Sequence, residues 1–187
     1  MTTENLLQGI NLYLIGMTGA GKTTVGPALS KQLSYRFIDI DEAITKLAGR
    51  TISELFAQEG EAAFRQLESK MLAQVCAHKN LIISTGGGII LCRENWSYLH
   101  HGLIVWLDVP VELLYTRLKK DTTRPLLQDV DLYTKLRSLL EQRQALYAQA
   151  DLRITVSADD TTEQIATRVI QAIPQVLKPE KLPPSFS

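Results

Sequence analysis

The stretch that most limits what this chain can become is GMTGAGKT, Gly16 to Thr23. It follows the apolar run NLYLI (11–15) and runs into an amphipathic stretch from Lys22 to Leu33. A short apolar run, a glycine-rich turn and a helical period make one strand-turn-helix unit. A strand whose chain leaves through a helix belongs in a parallel sheet. The turn also carries chemistry. Its glycines let backbone N–H groups crowd around a polyphosphate. The helix adds free N–H groups and the positive end of its dipole. Lys22 and Thr23 close the pattern G-x-x-x-x-G-K-T, the lysine reaching terminal phosphates and the threonine hydroxyl able to ligate Mg²⁺. The candidate nucleotide contacts are therefore Gly16, Thr18, Gly19, Ala20, Gly21, Lys22, Thr23 and Thr24. A chance glycine-rich turn is the bland alternative. The strand, the Lys-Thr pair and the helix, all in register, weigh against it.

The rest of the chain repeats the alternation. RFIDI (36–40), LIIST (81–85), GLIVWLDV (102–109) and LRITV (152–156) are four further apolar runs. Between them DEAITKLAG reads as a short helix stopped by Gly49. TISELFAQEG opens with Thr51 and Glu54 at capping-box spacing and ends at Gly60. EAAFRQLESKMLAQVCAH, PVELLYTRL (from Pro110), DLYTKLRSLLEQRQALYAQA and TTEQIATRVIQAI read as helices. Five apolar strands separated by helices predict an α/β fold, a parallel sheet covered on both faces. KKDTTRPLLQDVD (119–131) is the least structured interior piece, a candidate mobile loop, and KPEKLPPSFS a frayed tail. The expectation is a single domain over residues 1–175 with a flexible tail over 176–187.

Composition narrows the function classes. Twenty Lys and Arg balance twenty Asp and Glu, so no global field draws nucleic acid or a membrane surface, and any anion site is local. Hydrophobic residues are 45% and charged residues 21% of the 187, a globular profile. Cys76 and Cys92 lack metal-ligand spacing and suit buried thiols in a reducing cytosol. No signal peptide and no bilayer-length apolar run is visible. A cytoplasmic monomer is the expectation.

In open parallel sheets, ligands sit beyond the carboxyl ends of the strands. The second strand delivers Asp39 and Asp41 there. Residues two apart on a strand point the same way. The pair either holds something, or Asp41 caps a helix beginning at Glu42 while Asp39 ends the strand. The third strand delivers Thr85 and then Gly86, Gly87 and Gly88. Three glycines cost entropy unless backbone must approach something closely, although a tight turn into Ile89 and Ile90 also explains them. Arg65, Arg117, Arg124 and Arg143 are each, taken alone, solvated surface charges. Converging, they could stabilise a transferring phosphoryl group or grip a carboxylate bidentately. His78, His100 and His101 form no set. Trp96, Tyr98 and Trp106 read as packing aromatics.

The motifs GMTGAGKTTVG, FIDIDEAI, ISELFAQEGEAAFRQLE, ISTGGGII, VWLDVP, RPLL and RQALY, in that order over about residues 11–150, resemble the shikimate kinase family within the P-loop small-molecule kinases. The resemblance implies a three-layer α/β/α fold with a five-stranded parallel sheet in order 2-3-1-4-5, a helical substrate-binding region and a lid at about 119–130. It implies ATP and Mg²⁺, with the γ-phosphoryl passing to the 3-hydroxyl of shikimate. It assigns Asp39 and Thr23 to the metal, and Lys22, Asp41 and Arg124 to catalysis. Asp41, Arg65, Gly86, Gly87, Gly88 and Arg143 go to the substrate, with Glu68 propping Arg65. Arg117 would lie against adenine and Arg124 would come from the lid. One stretch departs from the pattern. VSADDTTEQ is acidic and lacks the basic residue and proline that many relatives carry near the adenine, which leaves Arg117 to carry more of that pocket. The rivals are a kinase of another small acceptor, such as gluconate or a nucleoside monophosphate, and a catalytically silent relative.

Overall fold

The computed structural model describes residues 6–119 and 131–177. Five strands form one sheet: β1 (Leu12–Ile15), β2 (Arg36–Asp39), β3 (Leu81–Ser84), β4 (Leu103–Asp108) and β5 (Leu152–Thr155). Their order is β2-β3-β1-β4-β5 and every pairing is parallel, the order the resemblance implies. β1 and β3 are buried at every residue and β4 at all but its last, so the central strands are covered on both faces. The edge strand β5 alternates instead, Leu152 and Ile154 inward, Arg153 and Thr155 outward.

The helices are α1 (Lys22–Leu33), α2 (Ile40–Ala48), α3 (Ile52–Cys76), α4 (Arg93–Leu99), α5 (Val111–Leu118), α6 (Leu132–Tyr147) and α7 (Thr162–Val176). α1 starts and stops where the sequence period places it. α3 carries the Thr51–Glu54 capping box and breaks at Gly60, whose φ of 82° disfavours any residue with a Cβ. The break lets Phe56 and Phe64 meet across it, ring centroids 4.7 Å apart. Asp131 caps α6 and Thr161 boxes α7. α7 runs beyond its expected end at Ile173, through Pro174 in its last turn.

Two elements escaped the sequence pattern. A single 3₁₀ turn, Ile89–Leu91, follows the three glycines, and the seven-residue α4 follows that. Neither is long enough to display a period. Both are held by side chains: Asn95 Nδ2 donates to Ile89 O at 2.8 Å and Trp96 Nε1 to Ile90 O at 3.0 Å. Packing also fixes Gly26, inside α1. A Cβ there would run into the Phe37 ring of β2. Gly26→Ala should lower stability by about 1–2 kcal/mol even though alanine favours helix, because overpacking outweighs propensity. A urea midpoint at or above the parent value would contradict this.

Strand register does the long-range work. Asp39 lies opposite Ser84, and Leu14 opposite both Ser84 and Val105. The start of the glycine-rich loop, the end of β2 and the three glycines thus leave the sheet side by side. The expected loop over 119–130 lies, from residue 120 on, outside the described residues, as do Arg124 and the tail beyond residue 177.

Candidate active site

A cleft of about 390 Å³ opens at the carboxyl edge of the sheet. The glycine-rich loop and the first turn of α1 line one wall. Gly21 is the N-cap of α1, and no side chain closes that turn, so its N–H groups face the cleft without a built-in acceptor. Lys22 is only 7% exposed and its ammonium is held by Gly16 O at 2.8 Å and Met17 O at 2.9 Å. Thr18, Gly19, Ala20, Thr23 and Thr24 line the same wall. Gly16 makes the crossing to β4 possible, since a Cβ there would meet Leu107 O.

The two acids part company. β2 ends at Asp39 and α2 starts at Ile40, so Asp41 is on a helix and the strand period does not reach it. The cap of α2 is Asp39, not Asp41. Asp39 Oδ1 accepts from Glu42 N at 3.1 Å, and Oδ2 accepts from Thr23 Oγ1 at 2.8 Å. One carboxylate thereby ends a strand, starts a helix and meets the phosphate loop. Asp41 sits in the first turn of α2, beside the glycines: a Cβ on Gly86 would lie 3.1 Å from its Oδ1.

Each of the three glycines makes room for something different. A Cβ on Gly86 would overlap Glu68 Oε1, and one on Gly88 would overlap the Arg65 guanidinium. One on Gly87 would lie 3.0 Å from Thr18 Oγ1 and 3.2 Å from Thr18 N, on the phosphate loop. The close approach the sequence suggested is thus real, and its partners are side chains on one face and the loop on the other. Gly87 O accepts from Arg143 (Nη1, 3.2 Å) and from the Tyr147 hydroxyl at 2.9 Å. Arg65 and Arg143 therefore reach the same turn from α3 and α6.

Arg65 is well supported. It donates to Glu68 at 2.7 Å and Glu61 at 3.1 Å, and its guanidinium lies 5.5 Å from the Phe64 ring centroid. Burial works against its charge, but Glu68 and Glu61 outweigh that and hold its pKa above the ordinary value. Glu68 is 1% exposed. Burial pushes its carboxyl above the usual range despite the opposing Arg65, and Asp41 adds to the push while Lys22 resists it. These groups therefore share one electrostatic neighbourhood. Among the described residues, Glu68 Oε1 has no hydrogen-bond partner.

At the far side Arg117 lies against the loop, its Nη1 donating to Gly19 O at 3.1 Å and to Ala20 O at 3.3 Å. Opposite it the acidic stretch after β5 brings Asp160, Thr162 and Ile165 to the cleft. Asp160 is fixed by Ser157 N at 2.6 Å and Arg168 at 2.5 Å, and the Ser157 N–H above all holds its carboxyl below the usual range. Val25, Ser84, Asp160, Thr162 and Ile165 line the cleft and the buried Tyr147 bonds Gly87, a lining residue; the sequence singled out none of them. Tyr147 could have been found from its spacing, one helical turn after Arg143. His78, His100 and His101 are exposed. Among the described residues no cluster of three or more His, Cys, Asp or Glu could enclose a metal. A hydroxyl and a carboxylate side by side, Thr23 and Asp39, suit the hard, partly hydrated Mg²⁺ that is shared with phosphates.

Comparison with known proteins points to one family. The shikimate kinase family model matches residues 18–174. The shikimate kinase of Nostoc punctiforme is 67% identical over 177 residues, 95% of this chain and 98% of that one. That of Synechococcus elongatus is 47% identical over 95% of this chain and 94% of its own. Among solved structures, shikimate kinase from Acinetobacter baumannii in complex with shikimate superposes with a TM-score of 0.87 at 37% identity, covering 92% of this chain and 97% of that one. An APS kinase from Mycobacterium tuberculosis, at 16% identity and a TM-score of 0.55, shares the fold alone.

Proposed function

Since the chain belongs to the shikimate kinase family, it transfers the γ-phosphoryl group of ATP to the 3-hydroxyl of shikimate, and we propose that its residues divide that work between the two faces of one glycine turn. The observation that carries this division is the turn itself. Gly87 abuts the phosphate loop at Thr18, while Arg65 and Arg143 arrive at Gly88 and Gly87. Donor and acceptor would then sit in contact across it, as an in-line displacement requires.

On the donor side the polyphosphate lies on the N–H groups from Gly16 to Thr24, with Lys22 against the β- and γ-phosphates. Thr23 and Asp39 would hold Mg²⁺, which would neutralise charge on the phosphate oxygens. Arg117 lies against the adenine; Arg124, which the resemblance assigns to the phosphates, lies outside the described residues. On the acceptor side Asp41 orients the 3-hydroxyl and takes its proton. Arg65 and Arg143 grip the carboxylate, and Glu68 fixes Arg65. Gly87 O already has two donors, so the turn offers the substrate its N–H groups rather than this carbonyl. Gly86 and Gly88 keep Glu68, Asp41 and Arg65 close.

A charge-assisted contact to a carboxylate is worth about 1.5–3 kcal/mol. Arg65→Ala should therefore raise the shikimate KM about tenfold or more with the ATP KM unchanged. Arg65→Lys, which keeps a charge beside Glu68 but loses the fork, should move in the same direction. Steady-state kinetics with each substrate varied decides it, and an unchanged shikimate KM in both variants would remove Arg65 from the carboxylate.

The reading takes the chain as a monomer, with residues up to about 175 acting as one domain. No helix among the described residues is long and apolar enough to cross a membrane. The free thiols Cys76 and Cys92 support a cytoplasmic location.

A further inference from the structure

We propose that Tyr147 is a positioning residue for the acceptor: by holding the Gly87 carbonyl that also receives Arg143, its hydroxyl sets where Arg143 meets the substrate carboxylate. The proposal rests on the assignment of Arg143 to that carboxylate made above.

Arg143 and Tyr147 are one turn apart on α6 and so share a face. They are held very differently. Tyr147 is wholly buried, and its ring stacks on Trp106 of β4 with centroids 5.7 Å apart and planes 19° apart. That ties α6 to the middle of the sheet. Arg143 is half-buried, with a long stem and many rotamers. A side chain of that kind reaches one geometry only when something fixed receives it.

The fixed receiver is Gly87 O. The Tyr147 hydroxyl donates to it at 2.9 Å and Arg143 Nη1 at 3.2 Å. A carbonyl oxygen accepts two hydrogen bonds, so the pair fills it. The two bonds brace the peptide after Gly87 in a turn where glycine offers no side chain to do so. A buried phenol needs some acceptor, and an ordinary core contact would satisfy it. What sets this one apart is that its acceptor is shared with Arg143, one residue from the glycine that admits Arg65. The phenol hydroxyl thereby couples the spacing between the two arginines to the sheet. Burial pushes the Tyr147 pKa up to about 12, so the hydroxyl stays a donor at any working pH.

Tyr147→Phe removes one oxygen and keeps the ring against Trp106. The shikimate KM should rise about fivefold, the size of one neutral hydrogen bond, with the ATP KM within about twofold of the parent. The same substitution made in an Arg143→Ala background should raise the shikimate KM no further, because its effect passes through the guanidinium. An equal rise in both backgrounds, a parallel rise in both KM values with a lower Tm, or no rise at all would each overturn the proposal. If Arg143→Ala itself leaves the shikimate KM untouched, the carboxylate assignment fails first, and that outcome is read separately from the Tyr147→Phe result.

Discussion

Replacing Lys22 with methionine is expected to lower kcat about a thousandfold while the protein still folds. The magnitude follows from the task. A donor aimed at charge that develops in the transition state is worth about 10²–10³ in rate, and Lys22 belongs to the loop that cradles the transferring group. The structure adds a second contribution. The ammonium is almost buried and bonds Gly16 O and Met17 O, so it also shapes the loop whose N–H groups do the rest. Methionine keeps much of the stem and loses the charge. ATP binding should weaken as well, since the loop loses both its cation and its internal tie. The shikimate Kd, read by titration without nucleotide, should stay within about threefold of the parent because Arg65 and Arg143 lie on the other face of the glycine turn. A kcat within tenfold of the parent would show that the N–H groups and Mg²⁺ suffice.

Asp41→Asn should lower kcat about 10²–10⁴-fold, the range for losing a positioned general base, with MgADP affinity within about twofold. The substitution is nearly isosteric and spares the cap of α2, because Asp39 and not Asp41 receives Glu42 N. The equivalent change at Asp39 would have a different signature. It would disturb Thr23 and the cap together and so strike MgADP binding and stability. The two variants, measured side by side by titration and turnover, separate the acids. A large loss of MgADP affinity in Asp41→Asn would show that the roles are exchanged.

The pair Asp39 and Asp41 also shows what a sequence can carry. FIDID correctly announces a strand, but that strand ends at Asp39 and only one of the two acids belongs to it. It does not show that the helix starts between them, because the deciding interaction is the Asp39 carboxylate on Glu42 N, a local competition between strand and cap. The strand-turn-helix around Gly16–Thr23 was legible because its parts are contiguous. The three central strands were legible because burial on both faces makes them continuous apolar runs. α4 and the 3₁₀ turn were not, because both are too short to show a period and are held by side-chain bonds from Asn95 and Trp96 to Ile89 O and Ile90 O. The arginines needed both structure and resemblance. Arg65 and Arg143 are far apart in the chain, and only register and helix packing bring them to one turn. Tyr147 lay in plain view one turn from Arg143, yet its partner, Gly87 O, is 60 residues away.

The most direct test of the whole account is acceptor-dependent ADP release by the purified chain with MgATP, comparing shikimate, gluconate and nucleoside monophosphates, with the product's phosphorylation site read by NMR. The account predicts turnover with shikimate alone and phosphate on the 3-hydroxyl. Turnover with gluconate or a nucleotide instead, or ADP release that ignores the acceptor, would contradict it.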